Sequence, residues 1–190
     1  MRVISGSARG TKISTIESNS TRPTLDRVKE SLFNIIQNDL IESTVLDLFA
    51  GSGALGIEAL SRGAKKAVFC DKNNDAVKVI NQNLEKTHLN SKAKVFNLDF
   101  KRYLDSANNE KFDYIFIDPP YKLDLAVIAI ELIDKKDLLN NEGLIIIETD
   151  EIDRDMAELE TLIKKSNNIE ITDTRKYGRA NLIFVSKRGC

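Results

Sequence analysis

The stretch Val45-Leu-Asp-Leu-Phe-Ala-Gly-Ser-Gly-Ala-Leu-Gly56 decides the fold of this chain. An apolar run leads into Gly51, Gly53 and Gly56, and this G-x-G-x-x-G spacing predicts a strand, a tight turn and the start of a helix. Glycines here let the backbone turn sharply and approach a ligand closely. The motif predicts a site for NAD or for another adenosine-containing cofactor.

Short apolar runs that follow this one predict a parallel sheet. They lie at 44–48, 67–70, 94–98, 113–117 and 144–148. Most are apolar at nearly every position, as in strands buried on both faces, and helical spacing separates them. Two final runs, 169–176 and 181–187, are joined too closely to be parallel. We expect an α/β, doubly wound, mostly parallel seven-stranded sheet that ends in an antiparallel hairpin.

The N-terminal part departs from this alternation. Residues 1–15 predict a β-hairpin around the Gly6–Gly10 turn, and 25–36 predict a helix entered through Thr24. We therefore divide the chain into a small extension, 1–40, and a main domain, 41–190.

Composition indicates an ordinary soluble chain of 190 residues. It has no apolar run long enough for a membrane and no signal-peptide pattern, so we expect a cytoplasmic protein without membrane contact. His88 lacks a partner for a metal, and Cys70 and Cys190 suggest no disulfide. We expect a metal-free monomer.

The net charge of −1 hides an asymmetry between the ends and the middle. Residues 1–30 carry +3 and residues 175–190 carry +5, whereas residues 31–174 carry −9. Two basic ends on an acidic body predict contact with a polyanion from one side, provided that the fold brings the ends together.

Two carboxylates refine the choice of cofactor. Asp47 precedes the glycines inside the first strand, where it would repel a pyrophosphate and would suit the cationic amino-acid end of S-adenosylmethionine. The alternative is that Asp47 only caps its own turn. Asp71 ends the second strand, where a carboxylate can accept bonds from ribose hydroxyls. The D-x-F-x-G-x-G pattern, with Asp47 and Phe49, resembles motif I of class I methyltransferases.

The run Asp118-Pro119-Pro120-Tyr121 follows the fourth strand, at the edge where open α/β sheets bind ligands. Because prolines lack an N–H, this loop presents acceptors, namely the Asp118 carboxylate and the Pro119 carbonyl. Together they would orient the exocyclic amine of a base toward a methyl donor, while Tyr121 stacks on the base. The run resembles motif IV of nucleic-acid amino-methyltransferases.

Several stretches together resemble the RsmD family, bacterial 16S ribosomal RNA guanine-N2 methyltransferases. They are residues 2–6, 9–10, 21–34, 47–64, 112–121 and 177–178. The resemblance implies a class I fold and methyl transfer from S-adenosylmethionine to one guanine of 16S rRNA, in the small subunit or its assembly intermediate. In such folds an acid after the third strand meets adenine, which implies a role for Asp99, with Phe100 on the ring. Phe100 could equally belong to the core.

The sequence departs from the family at two points. Asp71 stands where the family usually has Glu, and Arg179-Ala180 replaces an acidic residue and Thr, so Arg179 becomes a candidate phosphate contact. We expect the final hairpin to lie beside the strand that precedes Asp118. The other predicted RNA contacts are Arg9, Lys12, Arg22 and Arg27. For Arg27, pairing with Glu30 or Asp26 is the alternative.

Three other functions remain open. The strongest is an adenine-N6 methyltransferase acting on DNA or RNA, although a chain this short leaves little room for a target-recognition domain. A catalytically silent RNA-binding assembly factor is the second. NAD-dependent dehydrogenation ranks last, because no Lys, His or Tyr is placed as an acid–base group beside the glycine loop.

Overall fold

The computed structural model describes residues 1–16, 24–108, 110–119, 124–150 and 152–189. The helices are α1 (Thr24–Ile36), α2 (Ala54–Ser61), α3 (Asn74–Thr87), α4 (Phe100–Ser106), α5 (Asp124–Lys135) and α6 (Ile152–Ser166), with a 3-10 turn at Asn90–Lys92. The strands are β1 (Thr44–Asp47), β2 (Lys66–Cys70), β3 (Ala93–Phe96), β4 (Phe112–Ile117), β5 (Leu139–Thr149), β6 (Ile169–Tyr177) and β7 (Ala180–Lys187).

All seven strands form one sheet, in the order β3-β2-β1-β4-β5-β7-β6. Strands β1 to β5 are parallel to one another, and β7 runs antiparallel to both β5 and β6. The predicted doubly wound sheet with a C-terminal antiparallel hairpin is therefore confirmed. The order reverses at β1, so the carboxyl ends of β1 and β4 form the crevice that binds ligands in such sheets.

Both faces of the sheet are covered, which explains the continuous apolar runs. Successive residues of a strand point to opposite faces, and in β4 Ile115 belongs to one core and Phe116 to the other. Helices α4, α5 and α6 cover the Ile115 face. Helices α1, α2 and α3 cover the Phe116 face together with residues of the N-terminal stretch 1–16, called the first segment below.

The first segment folds back on itself as predicted, although the pairing is a single antiparallel bridge between Arg2 and Lys12 and not two strands. Val3 and Ile13 are buried in the core cluster that also contains residues of α1 and α2. This segment therefore contributes to the core of the main domain. The division at residue 40 stays a prediction.

Two predictions about the sheet need correction. Strand β7 lies beside β5, so β5 separates the final hairpin from β4. Strand β5 also begins at Leu139 and not at 144, because Leu139 pairs with Phe112 ahead of a register shift in β4. Its polar start hid it from the hydropathy pattern. Within the described residues no helix is long and apolar enough to cross a membrane.

Candidate active site

The glycine loop joins β1 to α2 and is held by Asp47. Asp47 ends β1, and its Oδ2 accepts the Gly56 N–H at 3.0 Å. Gly53 has φ 77°, a left-handed conformation that favours glycine. A Cβ on Gly56 would lie 2.3 Å from Cε1 of the buried Phe69 ring, so only glycine fits there. The capping role considered as the alternative for Asp47 is thus present in the fold.

The Asp47 carboxylate is poorly solvated. Asp47 is 3% exposed. Burial, together with the negative charges of Asp118 and Asp71, raises its pKa to about 7 against the opposing effect of the Gly56 N–H bond. Its second oxygen, Oδ1, forms no hydrogen bond among the described residues. A cation at that oxygen would relieve the burial of charge.

Asp71 follows β2 and shapes the other side of the loop. Its Oδ2 accepts the Gly51 N–H at 2.8 Å, and its Oδ1 accepts the Asn73 N–H at 2.8 Å. An ionised carboxylate has about four acceptor positions, so these two bonds leave room for hydroxyl donors. Asp71 is half-buried and lies beside Gly51, as the predicted ribose contact requires.

Asp99 and Phe100 lie at the start of α4. Asp99 is the N-cap and accepts the Lys101 N–H at 3.0 Å. Phe100 is buried, and its ring centroid lies 5.0 Å from that of half-buried Phe49. The structure thus places Phe100 in the core, the alternative allowed for it, while Phe49 keeps an accessible surface.

Asp118 directly follows β4, next to the strand that carries Asp47. Asp47 is in register with Phe116, so the two carboxylates lie at the same sheet edge. Asp118 keeps a solvent-exposed surface although its residue lies between the ends of β1 and β5, and Pro119 is half-buried. The surrounding protein desolvates the Asp118 carboxylate, and the charge of Asp150 opposes ionisation, so that the pKa of Asp118 is raised. Pro120 and Tyr121 lie outside the described residues.

Sequence reasoning missed Glu148, which enlarges the acidic edge. Ile117 pairs with Ile147, so Glu148 follows next to Asp118 across the sheet. Burial and the charges of Asp118 and Asp150 raise the pKa of Glu148 to about 8. An acid that ends a parallel strand next to the Asp118 strand is a signal that could have identified it.

Sequence reasoning also missed Glu58, which fastens the first segment to α2. Glu58 is fully buried and accepts the N–H groups of Ile4 at 2.8 Å and Ser5 at 3.0 Å. Its carboxylate also pairs with Lys29, 3.3 Å away, and with Arg62, 2.8 Å away. No local pattern marks the bonds of Glu58 to Ile4 and Ser5, because these two residues lie more than fifty positions away in the chain.

Two of the predicted basic contacts, Arg9 and Arg27, line an open cleft between the first segment and α1. The cleft has a volume of about 420 Å³, and its lining includes the exposed Arg2, Arg9 and Arg27 together with Asp26 and Glu30. Among the described residues no ion pair joins Arg27 to either acid, so the alternative role for Arg27 is not observed.

The remaining predicted contacts lie elsewhere. Lys12 is exposed on the first segment, and Arg22 lies outside the described residues. Arg179 is exposed in the β6–β7 turn. Thr149 pairs with Asn181, which brings this turn to the carboxyl end of β5, at the edge that carries Glu148. Within the described ranges no group of His, Cys, Asp and Glu could hold a metal ion.

Comparison with known proteins gives consistent matches along the chain. The family model described as "Conserved hypothetical protein 95" matches residues 1–186. "Putative rRNA methyltransferase YlbH" of Bacillus subtilis is 39% identical over 191 residues, with 100% of both chains covered. "Ribosomal RNA small subunit methyltransferase D" of Haemophilus influenzae is 40% identical over 152 residues, 79% of each chain.

A solved structure shows the same architecture. "Putative methyltransferase yhhF" from Escherichia coli matches with a TM-score of 0.81 at 27% identity, covering 100% of this chain and 99% of that one. The predicted class I methyltransferase fold is confirmed.

Proposed function

Because the chain belongs to the RsmD family, we propose that it transfers a methyl group from S-adenosylmethionine to the exocyclic N2 of a guanine in 16S rRNA of the small ribosomal subunit. One observation carries the proposal. Asp118 and Pro119 directly follow β4, the strand adjacent to β1, which puts two acceptors at the sheet edge that carries the glycine loop. This is the arrangement that an amine facing a methyl donor needs.

The residues of the loop fit S-adenosylmethionine better than NAD. The cofactor would supply an electrophilic methyl group. The Oδ1 of Asp47 would accept the ammonium of its amino-acid end, a contact that favours the ionised carboxylate and offsets the raised pKa. A pyrophosphate at the same oxygen would instead add negative charge to a buried carboxylate. Asp71 would accept the ribose hydroxyls, and Asp99 would accept the adenine amine.

Asp118 and the Pro119 carbonyl would act on the base. The guanine N2 amine has its lone pair delocalised into the ring and is a poor nucleophile. Hydrogen bonds from its two N–H groups to these acceptors would favour the pyramidal form and aim the lone pair at the methyl carbon. As nitrogen bonds to that carbon, the carbon–sulfur bond breaks, and the nitrogen then loses a proton to Asp118 or to water. Tyr121 would stack on the base.

The RNA would lie across the basic ends of the chain. Arg9, Lys12 and Arg27 would contact phosphates from the side of the first segment, and Arg179 from the β6–β7 turn. Arg22 remains a predicted phosphate contact. Such contacts position RNA without reading its sequence. The full burial of Val3 and Ile13 means that deleting this segment would also open the core, so charge reversal is the cleaner perturbation.

The decisive experiment methylates unmodified 30S particles with labelled S-adenosylmethionine, digests the RNA and identifies the labelled nucleoside. We expect N2-methylguanosine at one position. N6-methyladenosine would instead establish the adenine enzyme, and absence of turnover would establish a silent assembly factor. Asp118→Ala should be inactive with an unchanged circular dichroism spectrum. The matched control for this variant is Asp105→Ala, which replaces an exposed aspartate on α4 that makes only a surface ion pair.

A further inference from the structure

One buried amide joins the cofactor loop to the N-terminal segment. Asn83 lies on the inner face of α3 and is 0% exposed. Its Nδ2 donates to the Ser52 carbonyl, inside the glycine loop, at 2.9 Å. The same Nδ2 donates to the Ser14 carbonyl at 2.9 Å, and its Oδ1 accepts the Ser14 N–H at 2.8 Å.

These three bonds use both N–H donors of Asn83 and one acceptor position. Aspartate has the same shape but no donor, and its charge would face two carbonyl oxygens in a buried place. Leucine would leave the two carbonyls and one N–H without partners, at a cost for each buried group. Only an amide of this length satisfies the backbone hydrogen-bonding groups of both segments, at Ser14 and at Ser52.

The two backbone segments that meet at Asn83 bind different ligands in the proposed function, the cofactor and the RNA. Ser52 belongs to the loop that bends around the cofactor. Ser14 belongs to the segment whose Arg2 and Arg9 are exposed beside α1 and whose Lys12 is also exposed. The link is short, because the bonds to Ser52 and Ser14 come from the same nitrogen atom. A shift of the loop carbonyl therefore changes the bond that fixes Ser14.

We propose that Asn83 is a positioning residue that couples occupancy of the cofactor loop to the placement of the RNA-contacting segment. The inference rests on the proposed function. A bound cofactor fixes the Ser52 carbonyl, Asn83 then holds Ser14, and the basic side chains of the segment pre-form the surface that receives RNA. Cofactor and RNA consequently strengthen each other's binding, as the reciprocity of linked equilibria requires.

The test measures binding of unmodified 30S particles with and without the demethylated product, S-adenosylhomocysteine, in the wild type and in Asn83→Asp. We expect the product to tighten RNA binding about fivefold or more in the wild type, the lower range of known couplings. In Asn83→Asp the ratio should fall to near one. The matched control is Asn81→Asp on the exposed face of α3, which should keep the wild-type ratio.

The ratio separates coupling from a merely structural role. A residue that only stabilises the fold would weaken RNA binding by the same factor with and without the product, and the ratio of these two affinities would stay unchanged. A ratio of one in the wild type, or an undiminished ratio in Asn83→Asp, would overturn the inference. Methylation of the particles by the wild type is scored separately, so that failure of the proposed function is recognised on its own.

Hydrogen exchange of the wild type keeps the inference testable even if Asn83→Asp does not fold. The Ser14 N–H, bonded to Oδ1 of Asn83, should exchange more slowly when S-adenosylhomocysteine is bound. The peptide around Asp137, remote from the cofactor loop in the α5–β5 connection, serves as the reference. Unchanged exchange at Ser14 would contradict the coupling.

Discussion

Replacing Asp47 by asparagine should stabilise the cofactor-free protein and weaken cofactor binding. Asp47 is 3% exposed, and burial, with the charges of Asp118 and Asp71, raises its pKa to about 7. Asparagine keeps an oxygen that can accept the Gly56 N–H and carries no charge. The substitution therefore removes a cost that the folded protein bears only while Asp47 is ionised.

The expected size follows from proton linkage. The Asp47 pKa of about 7 in the folded protein lies above the ordinary 3.8 of an unfolded chain. Between these pH values the folded state binds more protons, so stability falls as the pH rises through the window. From pH 5 to pH 8 the loss is about 2 to 3 kcal/mol, at about 1.36 kcal/mol per pKa unit. Asp47→Asn lacks this loss, so its stability advantage over the wild type should widen by that amount.

The assay is urea denaturation followed by circular dichroism at pH 5, 6, 7 and 8 without cofactor. Calorimetry with S-adenosylhomocysteine at pH 8 should show binding weakened about tenfold or more, the loss of a charged hydrogen bond. Asp75→Asn, at an exposed position on α3, is the control and should show no widening. A stability gap for Asp47→Asn that stays constant from pH 5 to pH 8 would refute the assigned burial of charge.

Four further outcomes are expected. Gly56→Ala should lower the free energy of unfolding by about 1–3 kcal/mol in urea titrations, because its Cβ would overlap the buried Phe69 ring; an unchanged midpoint would contradict the packing. Asp71→Ala should weaken S-adenosylhomocysteine binding about tenfold by calorimetry, and equal affinity would remove it from the site. Asp118→Ala should abolish methylation while thermal unfolding stays unchanged; normal turnover would end the acceptor mechanism. Arg9→Glu with Arg27→Glu should weaken RNA binding and flatten its salt dependence by about two contacts, with cofactor affinity kept; an unchanged slope would place the RNA elsewhere.

The sequence was sufficient where local patterning and burial coincide. The sequence runs predicted all seven strands, and most of these runs are apolar because both faces of the sheet are covered. The glycine spacing predicted the turn before α2. The position of Asp118 after β4 followed from strand order alone. In each case the sequence signal lies within a dozen neighbouring residues and does not depend on contacts with distant parts of the chain.

The rest of the site depends on contacts between distant segments. Glu58 lies among apolar residues of a helix and Asn83 among polar ones, and neither pattern indicates that its partners lie near residues 4 and 14. The place of β7 beside β5 was also hidden, because an antiparallel pair can join a sheet on either side of several strands. Phe100 looked equally suited to a cofactor ring and to the core, and its burial decided for the core.

The place of β7 between β5 and β6 has a consequence for synthesis of the protein. The last strand in chain order is an interior strand, paired on both sides. Until residues 180–187 have left the ribosome, the β5 run from Leu144 to Thr149 has an unpaired edge rich in isoleucine. Such an edge invites pairing with other chains. A nascent chain can assemble β1 to β5 early, yet it loses this exposed edge only with its final strand, and truncation before Ala180 should yield an aggregating product.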